Sequence, residues 1–170
     1  MTATSVPTRD TADRELVVER VFNAPRELVF KAWTEPERLM RWFGPKGWTL
    51  PVCRIDLRPG GVWHYCLRGP TGETSWGRAV YQEIVAPERL AFTDAFSDEA
   101  GQVNEAMPVM LITITFIDQG GHTRLTSRTL FATAAERQAI VDMGAIEGMR
   151  ETWDRLDAYL AQAGYTANRT

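Results

Sequence analysis

The sequence predicts an α+β fold in which a curved sheet of seven antiparallel strands is covered on its concave side by one long C-terminal helix. Three observations predict it. Apolar residues recur at every second position in seven segments bounded by turn formers. They recur at every third or fourth position after residue 133. The connections between the later strands are too short for parallel crossovers, which indicates antiparallel neighbours.

The first strand and two short helices occupy the N-terminal third of the chain. Residues 14–22 alternate in polarity and predict the strand. Pro25 suits the first turn of a helix, because its fixed φ fits there and its missing N–H would be unpaired anyway. Thr34 and Glu37 have the spacing of a capping box, which predicts that Thr34 caps a second short helix. Two short helices therefore follow the first strand.

The middle of the chain predicts six more strands. Their boundaries are Gly, Pro, Asn and Asp clusters, which are typical of tight turns. The predicted strands are residues 52–57, 62–68, 74–85, 89–96, 109–117 and 123–131. A sheet of this size twists and curls, which leaves one concave apolar face for a helix to fill.

The C-terminal segment predicts a single continuous helix over residues 133–163. Thr133 and Glu136 form a second capping-box pattern at its start. Gly164 is a suitable stop. One apolar stripe runs along this helix, formed by Ile146, Met149, Trp153, Leu156 and Leu160. We expect a single domain over residues 14–163, a disordered tail over residues 1–13 and a short tail over residues 164–170.

Composition narrows the classes of function. The chain has 170 residues, of which 44% are hydrophobic and 24% charged, and a net charge of −3. It contains no cluster of Lys and Arg, which argues against a nucleic-acid or anionic-membrane partner. No apolar run approaches the roughly 20 residues of a membrane span, and the N-terminus lacks the apolar core of a secretory signal. We expect a cytoplasmic protein, and a homodimer is compatible with the sequence.

The two cysteines, Cys53 and Cys66, are placed symmetrically about Pro59 and Gly60. If these two residues turn a hairpin, the thiols face each other on one side of the sheet. We expect them to be reduced and buried, because the cytoplasm is reducing and a cross-strand disulfide is strained.

Several local strings resemble one known family, and they occur in its order. They are residues 22–27 (FNAPRE), 34–45 (TEPERLMRWFGP), 56–61 (DLRPGG), 83–90 (EIVAPERL) and 148–156 (GMRETWDRL). Over about residues 15–162 the chain resembles the START-like (SRPBCC) superfamily, and within it the family related to the C-terminal domain of the activator of heat-shock protein 90 ATPase. The resemblance implies the helix-grip fold. It carries over no catalytic motif.

In a grip fold the helix cannot contact the concave sheet everywhere, so we expect a cavity between them. The predicted ligand-binding residues are apolar or aromatic residues of the inner face, together with three ionisable residues as polar anchors. They are Trp63, Tyr65, Trp76, Phe92, Met110, Ile112, Ile114 and Met143, with Arg78, Asp94 and Glu147 as the anchors. Ordinary core packing is the competing interpretation of the apolar ones, and a solvated edge position that of the ionisable ones.

The function that the sequence favours is binding of a hydrophobic or aromatic small molecule, without cofactor or metal. A cyclase- or hydrolase-type enzyme and a chaperone-associated protein-binding module are the alternatives. No catalytic residues are assigned. His64 alternates away from Trp63 and Tyr65, and His122 sits in a Gly-Gly turn, so neither a metal pair nor a Ser-His-Asp triad has support. We expect Trp153 to anchor the helix without contacting ligand, and Met143 to lie at the open end of the cavity.

Overall fold

The computed structural model describes residues 11–167, and these form one sheet and four α-helices. A single 3-10 turn at Ala12–Arg14 precedes the first strand. The helices are α1 (Arg26–Thr34), α2 (Pro36–Trp42), α3 (Ala134–Asp142) and α4 (Ala145–Ala167). The strands are β1 (Glu15–Phe22), β2 (Thr49–Ile55), β3 (Val62–Arg68), β4 (Thr74–Val85), β5 (Arg89–Ser97), β6 (Val109–Gln119) and β7 (His122–Leu130).

The sheet has seven strands in the order β1-β7-β6-β5-β4-β3-β2, and every neighbouring pair is antiparallel. Six strands follow one another as a meander, and β1 closes against β7. The helices lie on one side of this sheet, so the predicted α+β helix-grip fold is confirmed. Within the described residues, no helix has the length and apolar content that a membrane crossing requires.

The core lies between the inner face of the sheet and the helices. Trp63 and Tyr65 of β3, Phe92 of β5 and Ile114 of β6 are buried on that face, as their alternation predicts. Trp153 of α4 packs onto them from above and is only 2% exposed. One apolar cluster therefore joins the sheet to α1, α2 and α4.

The prediction of one continuous helix over residues 133–163 is wrong, because the helix is broken between α3 and α4. Gly144 has a φ of +92°, in the left-handed region that ends a helix and favours glycine. Its N–H bonds to the carbonyl of Val141, and its own carbonyl accepts the first bond of α4, from Gly148. Ile140 of α3 packs in a small cluster with Leu16 and Phe131, whereas Trp153, Leu156 and Leu160 of α4 belong to the main core.

Two helix ends also differ from the sequence prediction. Thr34 is the last residue of α1, where its hydroxyl bonds back to the carbonyl of Phe30, and it does not cap α2. By contrast, Thr133 does cap α3, and its hydroxyl accepts a bond from the N–H of Glu136. Gly164 does not end α4, which continues to Ala167.

The predicted tails coincide only in part with the described residues. Residues 1–10 and 168–170 lie outside the description. Ala12 and Asp13, predicted as part of a disordered tail, belong to the 3-10 turn that precedes β1.

Two arginines fix α4 over the sheet. Arg20 of β1 reaches across to Asp154 of α4 at 2.9 Å. Arg155 of α4 donates to the backbone carbonyls of Gly44 and Trp48 in the loop after α2, and burial lowers the pKa of its guanidinium. These bonds connect α4 to the edge strand β1 and to the loop after α2.

The two cysteines do not face each other. Cys53 pairs with Tyr65, and Cys66 pairs with Val52, so the hairpin is shifted by one residue from the symmetric prediction. A one-residue shift sends the side chains to opposite faces of the sheet. Cys53 packs against the inner core, where burial raises the pKa of its thiol to about 11, and both thiols are free.

Candidate functional site

A cavity of about 240 Å³ lies between the inner face of the sheet and the helices. It corresponds to the volume of about eight water molecules at roughly 30 Å³ each. Its wall is formed by residues of every layer of the fold: Leu16, Trp33, Phe43, Gly44, Pro45, Trp63, Leu67, Phe92, Asp94, Met110, Ile112, Ile114, Ser127, Thr129, Phe131, Ile140, Ala145, Met149, Thr152 and Trp153.

The floor of the cavity is the inner face of strands β5 and β6. Phe92 pairs with Ile112 across the two strands, and Asp94 pairs with Met110 in the next row. Alternation brings these four side chains and Ile114 to one face, because successive side chains of a strand point to opposite sides. The floor is therefore apolar at every position except Asp94.

The roof comes from three separate segments. Met149, Thr152 and Trp153 of α4 cover the centre, and Ile140 of α3 covers the side of β1. Gly44 and Pro45, in the loop after α2, form a further part of the wall. The break between α3 and α4 thus lies over the cavity, since Ala145, the first residue of α4, is also part of its wall.

Asp94 is hydrogen-bonded to the phenol of Tyr65. The Tyr65 hydroxyl lies 2.9 Å from Oδ1 and 3.0 Å from Oδ2 of Asp94. Burial raises the pKa of the Asp94 carboxyl to about 6, against the opposing effects of the Tyr65 hydroxyl and of the Ala95 backbone. Burial, and then the charge of Asp94, raise the pKa of Tyr65 well above its usual value. The phenol therefore stays protonated and donates a hydrogen bond to the carboxylate.

Gly77 makes this hydrogen bond possible. Tyr65 is on β3 and Asp94 on β5, with β4 between them, so the Tyr65 side chain has to pass over β4. Gly77 is the β4 residue opposite Tyr65, and a Cβ at Gly77 would overlap the phenol ring and its hydroxyl. The absence of a side chain at this one position lets the ring lie directly on the backbone of β4.

The far side of the cavity carries two neutral hydroxyl groups. Ser127 and Thr129 of β7 line the wall, and neither hydroxyl makes a hydrogen bond to another described residue. They lie opposite Ile114 and Ile112 of β6. Two strand spacings, about 9.5 Å, separate β7 from β5, which carries Asp94. The cavity thus has polar groups at both sides of an apolar floor.

Most of the predicted ligand-binding residues of the inner face lie in the cavity wall. These are Trp63, Phe92, Asp94, Met110, Ile112 and Ile114. Tyr65 lies beside the wall, where it holds Asp94 and lines a smaller adjoining recess with Met110.

Trp76 and Arg78 are not on the inner face, contrary to the sequence prediction. The register of β4 puts them opposite Cys66 and His64 on the convex side, where Trp76 stacks on His64 at 5.0 Å between ring centroids. Both faces of β4 carry apolar residues, so alternation alone could not choose between them. The inner face of this strand is formed by Gly77, Ala79 and Tyr81.

Met143 and Glu147 were also placed wrongly. Met143 is 65% exposed beside the helix break, and Glu147 is exposed and paired with Arg150. Met143 is the C-cap of α3 at the break. Glu147 lies within α4, on the side opposite Met149 and Leu156, as the 3.6-residue period of the helix requires. Trp153, which we expected only to anchor the helix, is part of the cavity wall as well as of the core.

Gly77, Ser127 and Thr129 were not among the predicted site residues. For the two hydroxyls a signal existed, since Ser127 and Thr129 follow Leu125 at every second position of β7 and so share its buried face. For Gly77 the sequence contains no such signal, because a glycine is needed there only since the Tyr65 side chain crosses β4. Within residues 11–167, no group of three or more His, Cys, Asp or Glu side chains is placed to hold a metal ion.

Comparison with known proteins identifies one family. Residues 23–161 match the family model described as "Activator of Hsp90 ATPase homolog 1-like protein". No curated protein matches the chain.

Solved structures of bacterial proteins share the fold. A crystal structure from Nitrosomonas europaea has 30% sequence identity and a TM-score of 0.81, over 91% of this chain and 98% of the other. One from Mycobacterium smegmatis has 32% identity and a TM-score of 0.81, over 90% and 94%. An AHSA1 protein from Silicibacter pomeroyi, at 20% identity with a TM-score of 0.71 over 88% and 99%, shows the likeness of fold alone.

Proposed function

The chain belongs to the family of Activator of Hsp90 ATPase homolog 1-like proteins, within the START-like (SRPBCC) superfamily, and we propose that it binds a small apolar or aromatic molecule in the cavity between the sheet and α4. Folds of this type are generally ligand-binding folds. The observation that carries the proposal is the cavity wall, which is apolar apart from Asp94 and a few hydroxyl groups.

The size of the cavity favours binding over simple core packing. Protein interiors are close-packed and contain few voids larger than a water molecule. A space of about 240 Å³ is larger than such a void, and it is slightly below the roughly 300 to 1,000 Å³ that is usual for ligand pockets, which suits a small ligand. Ile112 and Phe92 form its floor and Met149 its roof, so an aromatic ring between them would exchange water for apolar contacts on both sides.

A direct test uses naphthalene as a probe. A molecule that binds only the native state raises its stability, by about 2.7 kcal/mol when the free concentration is 100 times Kd. We expect naphthalene to raise the midpoint of thermal unfolding in a concentration-dependent way. Absence of any shift at aqueous saturation, together with absence of heat in a calorimetric titration, would contradict the proposal.

Two variants locate the binding. Ile112→Trp puts an indole into the cavity floor, whereas Leu111→Trp puts the same group on the adjacent, outward-facing position, which is 38% exposed. We expect Ile112→Trp to lose at least tenfold in naphthalene affinity and Leu111→Trp to bind like the parent protein. Equal affinities for the two folded variants would place binding elsewhere.

A second candidate function is proton transfer to or from the bound molecule. It is favoured by the pKa of about 6 of Asp94, because a general base works best when its pKa lies near the working pH. The probe is 5-nitrobenzisoxazole: a carboxylate base takes the proton from its C3, the N–O bond breaks, and a nitrile and a phenolate form. Acceleration that Asp94→Asn abolishes would support an enzymatic role. Binding of the probe without acceleration would favour the binding role alone.

A further inference from the structure

The side chain of Asp94 carries the one negative charge in the wall of the cavity. Every other side chain that lines it is neutral. Among the described residues Asp94 forms no ion pair, so no cationic side chain of the protein compensates its charge there. A carboxylate in an apolar setting is costly unless hydrogen-bond donors or a positive charge satisfy it.

The protein satisfies Asp94 only in part. Two carboxylate oxygens offer about four acceptor positions. The single hydroxyl proton of Tyr65 is shared between both oxygens, at 2.9 and 3.0 Å, and the Ala95 backbone supplies one further hydrogen bond. Acceptor capacity therefore remains, and Asp94 is part of the cavity wall that a ligand would contact.

The chemistry of the Tyr65–Asp94 pair favours a positively charged ligand over a negatively charged one. Tyr65 has only its hydroxyl to offer, and that proton is already donated to Asp94. An anionic ligand would meet a carboxylate without any neighbouring cation in the wall. A cationic donor would instead form a charge-assisted hydrogen bond, which is shorter and stronger than a neutral one.

The apolar part of the cavity and its volume determine what the body of the ligand can be. From Asp94 the floor continues over Phe92 and Ile112 to the hydroxyl group of Thr129, and the volume limits the ligand to a small body. Resting on the proposed function, we infer that the ligand carries a protonated amine on an apolar or aromatic body, and that the amine binds the carboxylate of Asp94 while the body lies on Phe92 and Ile112.

A series of phenylalkyl probes tests this inference. 2-Phenylethylamine and n-propylbenzene are isosteric and differ in charge, and 3-phenylpropanoate carries a slightly larger, anionic end group on the same phenylethyl body. We expect the parent protein to bind the amine and the hydrocarbon and to bind the anion at least tenfold more weakly than the amine. We expect Asp94→Asn to lose at least tenfold in affinity for the amine and to keep its affinity for n-propylbenzene within twofold.

Matched variants separate the charge of Asp94 from other effects. Glu147→Gln removes a carboxylate outside the cavity and changes the net charge equally, so it should bind all three probes like the parent protein. Tyr65→Phe removes the phenol hydroxyl and leaves the carboxylate, so it should keep the preference for the amine. The unchanged affinity of Asp94→Asn for n-propylbenzene also shows that this variant is folded.

The pH dependence of probe affinity supplies a further test. Asp94 faces the Tyr65 phenol from β3 and neutral side chains from β6, α3, α4 and the loop after α2. Protonation of Asp94 below pH 6 removes the charge that the amine needs, so affinity for 2-phenylethylamine should fall between pH 7.5 and pH 5 while that for n-propylbenzene stays constant.

The outcomes distinguish the two proposals. If none of the three probes binds, the proposed function fails. If n-propylbenzene binds, but the amine binds no better to the parent protein than to Asp94→Asn, the cavity binds apolar molecules and the inference about the amine is wrong.

Discussion

The hydroxyl group of Tyr65 donates to the carboxylate of Asp94 at 2.9 Å, although strand β4 lies between the strands of the two residues. The phenol ring reaches Asp94 because it lies on Gly77. Tyr65 on β3, Gly77 on β4 and Asp94 on β5 therefore act as one structural unit. This unit puts a protonatable group at the wall of an otherwise apolar cavity.

The first prediction concerns Gly77→Ala. The added methyl group overlaps the Tyr65 ring, and overpacking of a core typically costs about 1 to 3 kcal/mol. We expect the free energy of unfolding in urea to fall by about that amount.

A double-mutant cycle checks the cause. In a Tyr65→Ala background the ring is absent, so Gly77→Ala should cost less than about 0.5 kcal/mol, which indicates coupling between contacting residues. An equal cost in both backgrounds would mean that the ring is not what Gly77 accommodates.

The second prediction concerns the pH dependence of stability. The pKa of Asp94 is raised from 3.8 to about 6 in the folded protein. The folded state therefore binds the proton more tightly, and stability falls as the pH rises from below 4 through 6. The difference corresponds to at most roughly 3 kcal/mol, at 1.36 kcal/mol for each pKa unit.

Asp94→Asn isolates this contribution. Urea unfolding at pH 4 and pH 7.5 should show the parent protein losing stability relative to the variant as the pH rises. A relative stability that is constant, or that rises with pH, would show that Asp94 titrates at or below its ordinary pKa.

The third prediction contrasts Trp153 with Met143. Trp153 is 2% exposed and contacts Phe22 edge-on at 5.8 Å between ring centroids. Truncating a buried tryptophan typically costs about 3 to 5 kcal/mol, because the void is not refilled. Met143 is 65% exposed, so Met143→Ala should change the free energy of unfolding by less than about 0.5 kcal/mol. Comparable costs for the two variants would contradict the observed orientation of the helices.

The fourth prediction uses two glycines of the C-terminal segment. Gly144 has a φ of +92° at the helix break, so Gly144→Ala should destabilise the protein by about 1 to 2 kcal/mol. Gly148 lies within α4, and a Cβ there would meet nothing within 4 Å. Gly148→Ala should therefore stabilise by about 0.5 to 1 kcal/mol. Thermal unfolding measures both, and stabilisation by both variants would indicate one continuous helix.

The sequence by itself determined the seven strands, the two short helices after β1 and the inner face of most strands. Strand bounds such as Val62–Arg68 and Thr74–Val85 agree with the prediction residue for residue. Trp63, Phe92 and Ile112 were placed on the inner face correctly. The reason is that the period of apolar residues and the chemistry of turns are local, and local patterns fix which residues share a face.

Only the tertiary structure decided the contacts between elements. β4 carries apolar residues on both faces, and only its register with β3 puts Gly77 inside and Trp76 outside. The helix stripe gave no sign of the break at Gly144, because a stripe shows which residues share a face and not the backbone conformation of one residue, here a φ of +92°. Tyr65 and Asp94 are 29 positions apart, and their hydrogen bond exists because strand order and one missing side chain bring them together. Such contacts depend on register and packing across the sheet, which no pattern within a single segment encodes.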